Sequence, residues 1–516
     1  MSKPACFGLW RALAALLFIA LLSACAGGPP RPDPAQRPPP EAALEAAPTG
    51  PLADFESAFT ARVPAPGASG LKLLPGNREA LEARLMLADS ASRSLDLQYY
   101  FWWGDDAGLL LLQRVLRAAD RGVKVRLILD GLLILSGEDA VAALDRHPNV
   151  EIRLFNAWKG RSLVAKAGDG LTRFFTLNHR MHDKLFVADN RAVILGGRNV
   201  GNEYFGLKDR FNFYDLDVIG TGAVVRQGST LFDSFWNSAW VTPVSAFGLE
   251  ASERELAKVR GQIDAAVAGS PRLSAFPADS RAWDAALAET AGALLPGTAR
   301  MVWDDVSSGE IVRGVGPALR ALFTSAREDV LITNAYVILS ERSIQDLNAM
   351  QARGVRLRML TNSLESHDVP AVNSHYKRWR RPLVRGGAAL FELRADAPIR
   401  HYTDTPPVSS KFSGLHTKAA VVDLRHVFVG SMNFDPRSSN WNLEMGVIVD
   451  SEPLARSLAA HMERDLQPDR SWRVEALPSG QITWRSTKGT LTSQPARGFV
   501  QRIEDVLFML APSTFY

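Results

Sequence analysis

The chain has 516 residues, which is too long for one ordinary hydrophobic core and suits two domains of typical size. Hydrophobic residues make up 46% and charged residues 22%, as is usual for folded soluble proteins. The formal net charge is only +4, and about +2 without the N-terminal Lys3 and Arg11, which argues against a nucleic-acid-binding protein with its strong basic excess.

The first 24 residues have the pattern of a secretory signal peptide. Lys3 and Arg11 precede the apolar run 12–22, which is shorter than the roughly 20 residues that a membrane-spanning helix needs. The ending Leu22-Ser23-Ala24-Cys25 resembles the lipobox of bacterial lipoproteins, which implies that 1–24 is removed and that Cys25 is lipidated. The alternatives are an uncleaved anchor or an ordinary signal peptide with a chance cysteine.

Lipidation would place the protein in the bacterial cell envelope, facing the periplasm, with acyl chains as its membrane anchor. Ala26 resembles the signal for sorting to the outer membrane, and the inner membrane is the alternative. Residues 25–55 are rich in Pro, Ala and charged residues. Such a composition cannot bury a core, so we expect an extended tether there.

The body of the chain repeats one pattern. A helix ends at Gly122 and a β-branched run follows, and the same order recurs at Gly354, 232 residues later. Strands that alternate with helices favour βαβ units. The predicted fold class is α/β, with two tandem βαβ-rich repeats, each a mainly parallel sheet flanked by helices, packed as a pseudo-two-fold pair. The expected ranges are 56–245 for the first repeat, 246–292 for a connecting segment, and 293–516 for the second repeat with a C-terminal tail.

One short motif occurs twice, 234 residues apart, which is close to the offset of the repeats. The first copy of H-x-K-x4-D consists of His182, Lys184 and Asp189, and the second of His416, Lys418 and Asp423. A glycine and then an asparagine follow each copy at the same spacing, and the asparagines are Asn199 and Asn433. Two copies with identical spacing in a duplicated chain are far more specific than one.

This pattern resembles the phospholipase D superfamily, in which two repeats face each other and both motifs form one active site. The resemblance implies phosphodiester chemistry without a metal, in which one histidine attacks phosphorus and the other donates a proton to the leaving alcohol. In the family the first-repeat histidine is usually the nucleophile. We therefore assign His182 as the nucleophile, which forms a phosphohistidine, and His416 as the acid.

The remaining motif residues receive supporting roles. Positive charge and amide donors around the phosphoryl oxygens are expected from Lys184, Lys418, Asn199 and Asn433. The motif aspartates Asp189 and Asp423 are expected to hold the catalytic site together rather than to contact substrate. No CxxC or HExxH motif occurs, so the sequence implies no metal and no cofactor.

The family also places an acidic residue after each motif, where it can orient a catalytic histidine. The segments Asp215-Leu216-Asp217 and Asn442-Leu443-Glu444 look like the matching positions. We predict that Asp217 and Glu444 are the orienting residues. The alternative is that both are ordinary exposed acids.

Two aromatic stretches have both a core and a membrane interpretation. Residues 99–103 follow the apolar pattern of a strand and are more typical of a core than of a lipid groove, although in this family that strand end lies near the cleft. The run 376–381 mixes bases and aromatics, which suits either an anionic lipid surface or a solvated helix face. No chemistry is assigned to the C-terminal tail.

The residues around the motifs indicate which branch of the superfamily the chain resembles. The stretches LNHRMHDKLFVADNRAVILGGRNVGNEYF and LHTKAAVVDLRHVFVGSMNFDPRSSNWNLEMG closely resemble bacterial cardiolipin synthases, especially the periplasm-facing type. The resemblance implies a phosphatidyltransferase that makes cardiolipin from phosphatidylglycerol and a second phospholipid, with phosphatidylethanolamine as one candidate donor. The expected partners are phospholipids and a membrane, not nucleic acid. The alternatives are a hydrolytic phospholipase D or nuclease, and a non-catalytic lipid-binding lipoprotein.

Overall fold

The structure is a computed structural model, and it describes residues 38–131, 138–158, 174–249 and 251–510. The predicted signal peptide, Cys25 and Ala26 lie outside these residues. Across the described ranges, we find no helix with the length and apolar character needed to cross a bilayer.

The first half of the body, as we use the term, runs from the helix Pro51–Arg62 to the ninth strand. Its strands are β1 (Ser69–Leu74), β2 (Ser94–Tyr99), β3 (Lys124–Asp130), β4 (Val150–Phe155), β5 (Lys184–Ala188), β6 (Ala192–Gly196), β7 (Phe211–Tyr214), β8 (Asp217–Gly222) and β9 (Val241–Pro243). Its helices are Pro51–Arg62, Asn77–Ser90, Asp106–Asp120, Glu138–Asp145, Phe174–Leu177 and Ala223–Trp236.

The second half has the same plan with two extra strands at its edge. Its strands are β10 (Leu295–Trp303), β11 (Asp329–Asn334), β12 (Arg356–Asn362), β13 (Ala389–Leu393), β14 (Phe412–Leu415), β15 (Lys418–Val422), β16 (His426–Gly430), β17 (Met445–Asp450), β18 (Ser471–Ala476), β19 (Ile482–Ser486) and β20 (Gly489–Leu491). Its helices are Val315–Thr324, Glu341–Ala352, Pro370–Tyr376, Arg380–Arg385, Arg400–Thr403, Pro436–Asn440, Glu452–Asp465 and Phe499–Leu507.

The sheet in each half is parallel at its centre and antiparallel elsewhere. In the first half β2, β3 and β4 are parallel, and in the second half β11, β12 and β13 are, as the alternation of strands and helices predicted. β5 pairs antiparallel with β2 and β6, and β15 with β11 and β16. A tight turn joins each motif strand to the next, and such a turn can only reverse the chain. The α/β class and the duplication are confirmed, and the sheets are mixed.

The two halves are joined at three levels. β1 pairs antiparallel with β10, which makes one sheet of 18 strands, and β7 pairs in parallel with β14 in a separate two-stranded sheet. A shared apolar core lies between the halves and includes Val187, Val218, Trp236, Val447 and Leu458. This core and the two strand pairings fix the position of one motif relative to the other.

Glycine ends the equivalent helices in both halves, as the sequence predicted. The helix Asp106–Asp120 begins after Asp105, whose carboxylate accepts a hydrogen bond from the Gly108 N–H, and it is followed by Gly122 with φ +93°. Gly354, after the helix Glu341–Ala352, has φ +91°. A non-glycine residue would be strained at either position, and β3 and β12 begin directly afterwards.

The tether predicted for 25–55 is too long at its C-terminal end. Glu41 exchanges two backbone hydrogen bonds with the Asn237 amide, at 2.9 and 2.8 Å, and its carboxylate accepts one from the Trp236 indole at 3.2 Å. Ala47 is buried, and the helix Pro51–Arg62 already belongs to the body. The composition of this stretch is typical of a linker, but its backbone groups find partners on the first half.

The connecting segment predicted at 246–292 is helical and packs on the first half. It holds the helices Glu253–Gly269 and Asp284–Ala293. Asp264 accepts a hydrogen bond from Gln113 at 2.6 Å, and Trp283 donates one to Asp89 at 2.8 Å. The segment is therefore part of the folded body rather than a free linker.

The docked N-terminal segment gives a testable expectation. In Asn237→Ala the backbone of Glu41 loses both side-chain partners, which costs about 1–2 kcal/mol locally. Limited proteolysis followed by mass spectrometry should then cut within 41–47 roughly tenfold faster. Thr230→Ala, an exposed change on the same helix, is the matched control and should leave the rate unchanged. Equal cleavage in both variants would show that the segment does not depend on this contact.

Candidate active site

Each motif begins where the chain of one half meets the other. The His182 N–H donates to the Leu443 carbonyl at 2.8 Å, and the His416 N–H donates to the Tyr214 carbonyl at 2.8 Å. β7 and β14 run side by side to Tyr214 and Leu415, so they carry His416 to the interface. The two histidines are thereby placed from opposite sides of one buried interface.

The two histidines are held by crossed carboxylate pairs. The Nδ1 atom of His182 lies 2.9 Å from a Glu444 oxygen, and Nδ1 of His416 lies 2.6 Å from an Asp215 oxygen. All four side chains are buried. Because a carboxylate accepts hydrogen bonds, each Nδ1 carries the proton and each Nε2 is left for chemistry. Each half supplies the acid that orients the histidine of the other.

The prediction that Asp217 orients a histidine is wrong, whereas Glu444 lies where the prediction placed it. Asp217 is buried between two arginines, at 2.9 Å from Arg84 and 3.3 Å from Arg198. Asp217 forms a buried ion-paired cluster with these two arginines. Asp215, two residues earlier, contacts His416.

Sheet register explains this error. Gly196 pairs with Asp217 across β6 and β8, and Gly430 pairs with Gly446 across β16 and β17. Asp217 is thus equivalent to Gly446, and Asp215 to Glu444. Because the two acids stand only two residues apart, the sequence pattern alone does not show which of them matches Glu444.

The two carboxylates have different surroundings. Glu444 accepts hydrogen bonds from the hydroxyls of Ser431 and Ser438. In the first half Gly197 stands where the second has Ser431, and a Cβ there would lie 2.2 Å from an Asp215 oxygen. Glycine is therefore required for Asp215 to reach His416, and the Gly-Arg-Asn and Ser-Met-Asn steps are not interchangeable.

Electrostatics separate the two histidine–carboxylate pairs. Burial raises the pKa of Glu444 to about 7, against the opposing charge of Lys184. Burial disfavours ionisation of Asp215 as well, but the charge of His416 and its hydrogen bond bring that pKa down to about 2. Asp215 is therefore the firmly ionised partner, and Glu444 is not.

The pKa values of the two histidines also differ between the Glu444–His182 pair and the Asp215–His416 pair. Burial, followed by the charges of Lys184 and Lys418, holds the pKa of His182 well below its usual range. Burial and Lys418 also lower the pKa of His416, but Asp215 opposes that shift. His182 is thus the ring more firmly neutral, and His416 is the ring more easily protonated.

Both motif lysines are buried in the site. Lys184 Nζ donates a hydrogen bond to the His182 carbonyl, and Lys418 Nζ donates one to the His416 carbonyl. Burial lowers the pKa of Lys184 to about 7 and lowers that of Lys418. An arriving phosphate would favour the charged form of each lysine, since opposite charge raises the pKa of an ammonium group.

The two asparagines are placed differently. The Asn199 carbonyl accepts the Phe101 N–H at 3.2 Å, and its amide donates to the Tyr204 hydroxyl at 2.9 Å. The side-chain oxygen of Asn433 is buried without a hydrogen-bond partner among the described residues. Asn199 is engaged in shaping the cleft, and Asn433 keeps free hydrogen-bonding capacity.

The motif aspartates brace the scaffold. Asp189 accepts backbone hydrogen bonds from Ser92, Arg93 and Ser94, at 2.7 to 3.1 Å. Asp423 does the same for 327–329, at 2.9 to 3.0 Å. Both occupy tight turns with positive φ and tie each motif hairpin to the start of the neighbouring strand, β2 or β11.

Aromatic rings surround the histidines, and the sequence did not single them out individually. The Tyr100 ring lies 5.3 Å from the His182 ring, and Tyr204 lies 5.3 Å and Phe213 4.8 Å from His416. Within 99–103, Tyr99 is core and Tyr100 borders the site. The family tendency for this strand end to approach the cleft was the signal that pointed to it.

The basic aromatic run 376–381 is largely a structural element. Tyr376 donates to Glu392 at 3.0 Å, and Arg380 is buried against the same carboxylate at 2.6 Å. Trp379 is also buried. Lys377 forms an ion pair with Asp505 at 2.8 Å. Only part of this run is exposed, so it is neither a wholly solvated face nor a continuous lipid-facing one.

The described residues contain no group of three or more His, Cys, Asp and Glu side chains suited to holding a metal ion. The cationic groups around the histidines are the two lysines, and Arg437 contributes positive charge near His182.

The comparisons with known proteins cover both halves of the chain. The family described as "Cardiolipin synthase, PLD-like domain" matches residues 85–236 and 319–466, so it matches both halves. The chain is 34% identical over 466 residues to cardiolipin synthase C of Escherichia coli (strain K12), covering 87% of this chain and 96% of that protein. It is 24% identical over 437 residues to cardiolipin synthase B of the same strain, covering 83% and 88%.

A solved structure supports the fold. The crystal structure of phosphatidylserine synthase from Haemophilus influenzae Rd KW20 superposes with a TM-score of 0.53 and 14% identity, over 77% of this chain and 86% of that one. At that identity the likeness shows the architecture alone. Two family matches, one per motif, together with the extended identity to a bacterial relative, establish that this chain belongs to the cardiolipin synthase branch of the phospholipase D superfamily and is a phospholipase D-type phosphatidyltransferase.

Proposed function

We propose that this enzyme makes cardiolipin by transferring a phosphatidyl group from one phospholipid to the headgroup of phosphatidylglycerol, through a phosphohistidine. The observation that carries the proposal is the crossed pair of buried histidines, each with Nδ1 held by a carboxylate. Two of the relatives matched over most of their length are cardiolipin synthases.

In the first step Nε2 of His182 attacks phosphorus, because this ring is the more firmly neutral one. The bond from phosphorus to the leaving alcohol breaks, and His416 donates its proton to that alcohol oxygen. The bound phosphodiester adds negative charge to the site and raises the pKa of both rings. His416 is protonated first, since ionised Asp215 lies against it.

In the second step His416, now neutral, takes the proton from the incoming hydroxyl of phosphatidylglycerol. The hydroxyl oxygen bonds to phosphorus, the phosphorus–nitrogen bond breaks, and His182 is released neutral. Lys184 and Lys418 stabilise the charge on the phosphoryl oxygens in both steps. Water at the acceptor position would give phosphatidic acid instead.

The anchor belongs to the same proposal. A lipidated Cys25 would hold the enzyme on a periplasm-facing membrane surface, where its substrates are. Labelling with a fatty-acid analogue should mark the wild-type chain and not Cys25→Ser, while activity on detergent-dispersed lipid should be equal in the two. A labelled Cys25→Ser chain would contradict the lipobox interpretation.

The two histidines should separate in a phosphoenzyme experiment. His182→Ala should abolish turnover and the acid-labile phosphoenzyme, because the nucleophile is lost. His416→Ala should lose turnover by about 10³-fold or more, yet should still accumulate phosphoenzyme from a substrate with a good leaving group, which needs no proton. Rapid quench and mass spectrometry measure both. Phosphoenzyme formed only in His182→Ala would reverse the assignment.

Exchanging one carboxylate should move a pH profile. In Asp215→Asn the His416 ring loses the negative charge that raises its pKa, so the acid form disappears at lower pH. The alkaline limb of kcat/KM should move to lower pH by about one unit, and kcat should fall about a hundredfold.

Asp217→Asn is the matched control, two residues away at the start of β8. It leaves Arg84 and Arg198 without their buried partner, so it should lower the free energy of unfolding by about 3–5 kcal/mol. The pH profile of the protein that stays folded should keep its shape. A shifted alkaline limb in Asp217→Asn and an unshifted one in Asp215→Asn would show that Asp217, and not Asp215, orients the histidine.

The product distribution tests the transfer itself. Vesicles that contain phosphatidylglycerol, with or without phosphatidylethanolamine, should yield cardiolipin as the main product, since an oriented acceptor outcompetes water by orders of magnitude. Phosphatidic acid should grow only when acceptor is withheld. Mass spectrometry resolves the lipids. Mainly phosphatidic acid at high phosphatidylglycerol would identify a hydrolase, and rapid cleavage of double-stranded DNA would identify a nuclease.

A further inference from the structure

The C-terminal helix exposes most of the large apolar side chains on the described surface. Eleven large hydrophobic side chains are exposed among the described residues, and seven of these lie within eleven consecutive positions. The seven are Phe499, Val500, Ile503, Val506, Leu507, Phe508 and Met509. Their exposed fractions reach 77% at Phe499 and 60% at Val506. Apolar residues spaced by three and four form one face of a helix.

The opposite face of this helix is polar and buried. Gln501 donates to the Leu364 carbonyl, and Asp505 accepts hydrogen bonds from Asn373 at 2.7 Å and Lys377 at 2.8 Å. A helix on a water-exposed surface normally has the reverse arrangement, with its apolar face inward. The packing therefore holds the apolar face toward the outside. A contiguous patch of seven exposed apolar side chains is typical of an interaction site.

Two arginines from different halves lie beside this face. The Arg497 guanidinium, just before the helix, lies 5.3 Å over the Phe412 ring and donates to the His367 carbonyl at 3.0 Å. The Arg210 carbonyl accepts a hydrogen bond from the Phe412 N–H at 3.1 Å, which places Arg210 next to the residue whose ring Arg497 covers. Burial and the neighbouring charge of Arg210 also lower the pKa of Arg497. Two cations at the edge of an apolar face complement a layer of phosphates above acyl chains.

The same corner of the molecule leads directly to the catalytic histidine. Arg210 precedes β7, and Phe412, under the Arg497 guanidinium, begins β14. Both strands run to the site, where Asp215 and His416 follow them. At about 3.3 Å per residue, the four steps from Phe412 to His416 span about 13 Å.

We propose that the apolar face of 499–509, together with Arg210 and Arg497, inserts into a phospholipid leaflet and sets the active site at headgroup level. Interfacial amphipathic helices bury their apolar face about 5–10 Å into the leaflet. With the arginines at the phosphates, His416 would lie within about 13 Å of the headgroup layer. This inference rests on the proposed function for its substrate, and it is independent of the anchor at Cys25.

A site-specific label tests insertion directly. Cys6 and Cys25 are the only cysteines, so Cys6→Ser, Cys25→Ser and Val506→Cys give a full chain with one thiol for an environment-sensitive fluorophore. On vesicles of phosphatidylglycerol and phosphatidylethanolamine, emission should shift to the blue and be quenched by acyl-chain spin labels. The same label at Val312, exposed on another element, should show neither effect. No quenching at position 506 would overturn the inference.

Activity gives the second measurement. Phe499→Ser with Val506→Ser should lower the rate on vesicles by about tenfold and leave the rate on detergent-dispersed lipid within about twofold. The matched control is Val312→Ser with Leu424→Ser, which removes exposed apolar groups elsewhere and should change neither rate. Arg210→Gln should weaken binding to anionic vesicles about fivefold and leave binding to phosphatidylcholine vesicles unchanged.

The outcomes separate this inference from the proposed function. Quenching at position 506 without phospholipid turnover would support the surface and contradict the function. Turnover on vesicles without quenching at position 506, and with no effect of Phe499→Ser with Val506→Ser, would support the function and contradict the membrane surface. A dimer that forms without lipid and dissociates in that double variant would assign the face to a second protein copy and overturn the membrane proposal.

Discussion

Two hydrogen bonds that cross between the halves are the constraint on which the rest of the site depends. Glu444 of the second half holds His182, and Asp215 of the first half holds His416. Neither half contains both members of a pair, so neither has an oriented histidine by itself. The β1–β10 and β7–β14 pairings and the shared apolar core are what keep these contacts at hydrogen-bond distance.

A duplicated fold would give two equal histidines unless something breaks the symmetry. One residue position does much of this, because Gly197 leaves room for Asp215 where Ser431 donates to Glu444. Arg198 adds a hydrogen bond to the Asp215 carbonyl at 2.6 Å, and its charge helps to keep that carboxylate ionised. The result is one ionised carboxylate and one with a pKa raised to about 7, and thus two rings with different readiness to hold a proton.

Sequence alone located most of this site, and for identifiable reasons. The sequence shows the duplication directly. The two H-x-K-x4-D copies and the two glycine-ended helices recur at nearly the same offset, and spacing along the chain does not depend on tertiary contacts. Asp215 could not be separated from Asp217, because two acids stand two residues apart and only the pairing of Gly196 with Asp217 sets the register. The docking of Glu41 and the outward face of 499–509 depend on tertiary contacts that composition does not encode.

The central claim is that each catalytic ring carries its proton on Nδ1, donated to a carboxylate of the other half. Nitrogen-15 NMR of histidine-labelled enzyme at about pH 8.5, where Glu444 is ionised, reports this directly, with His182→Asn and His416→Asn to assign the two resonances. The account predicts a protonated Nδ1 and an unprotonated Nε2 on both rings, and loss of the His416 pattern in Asp215→Asn but not in Asp217→Asn. A protonated Nε2 on either ring would contradict it.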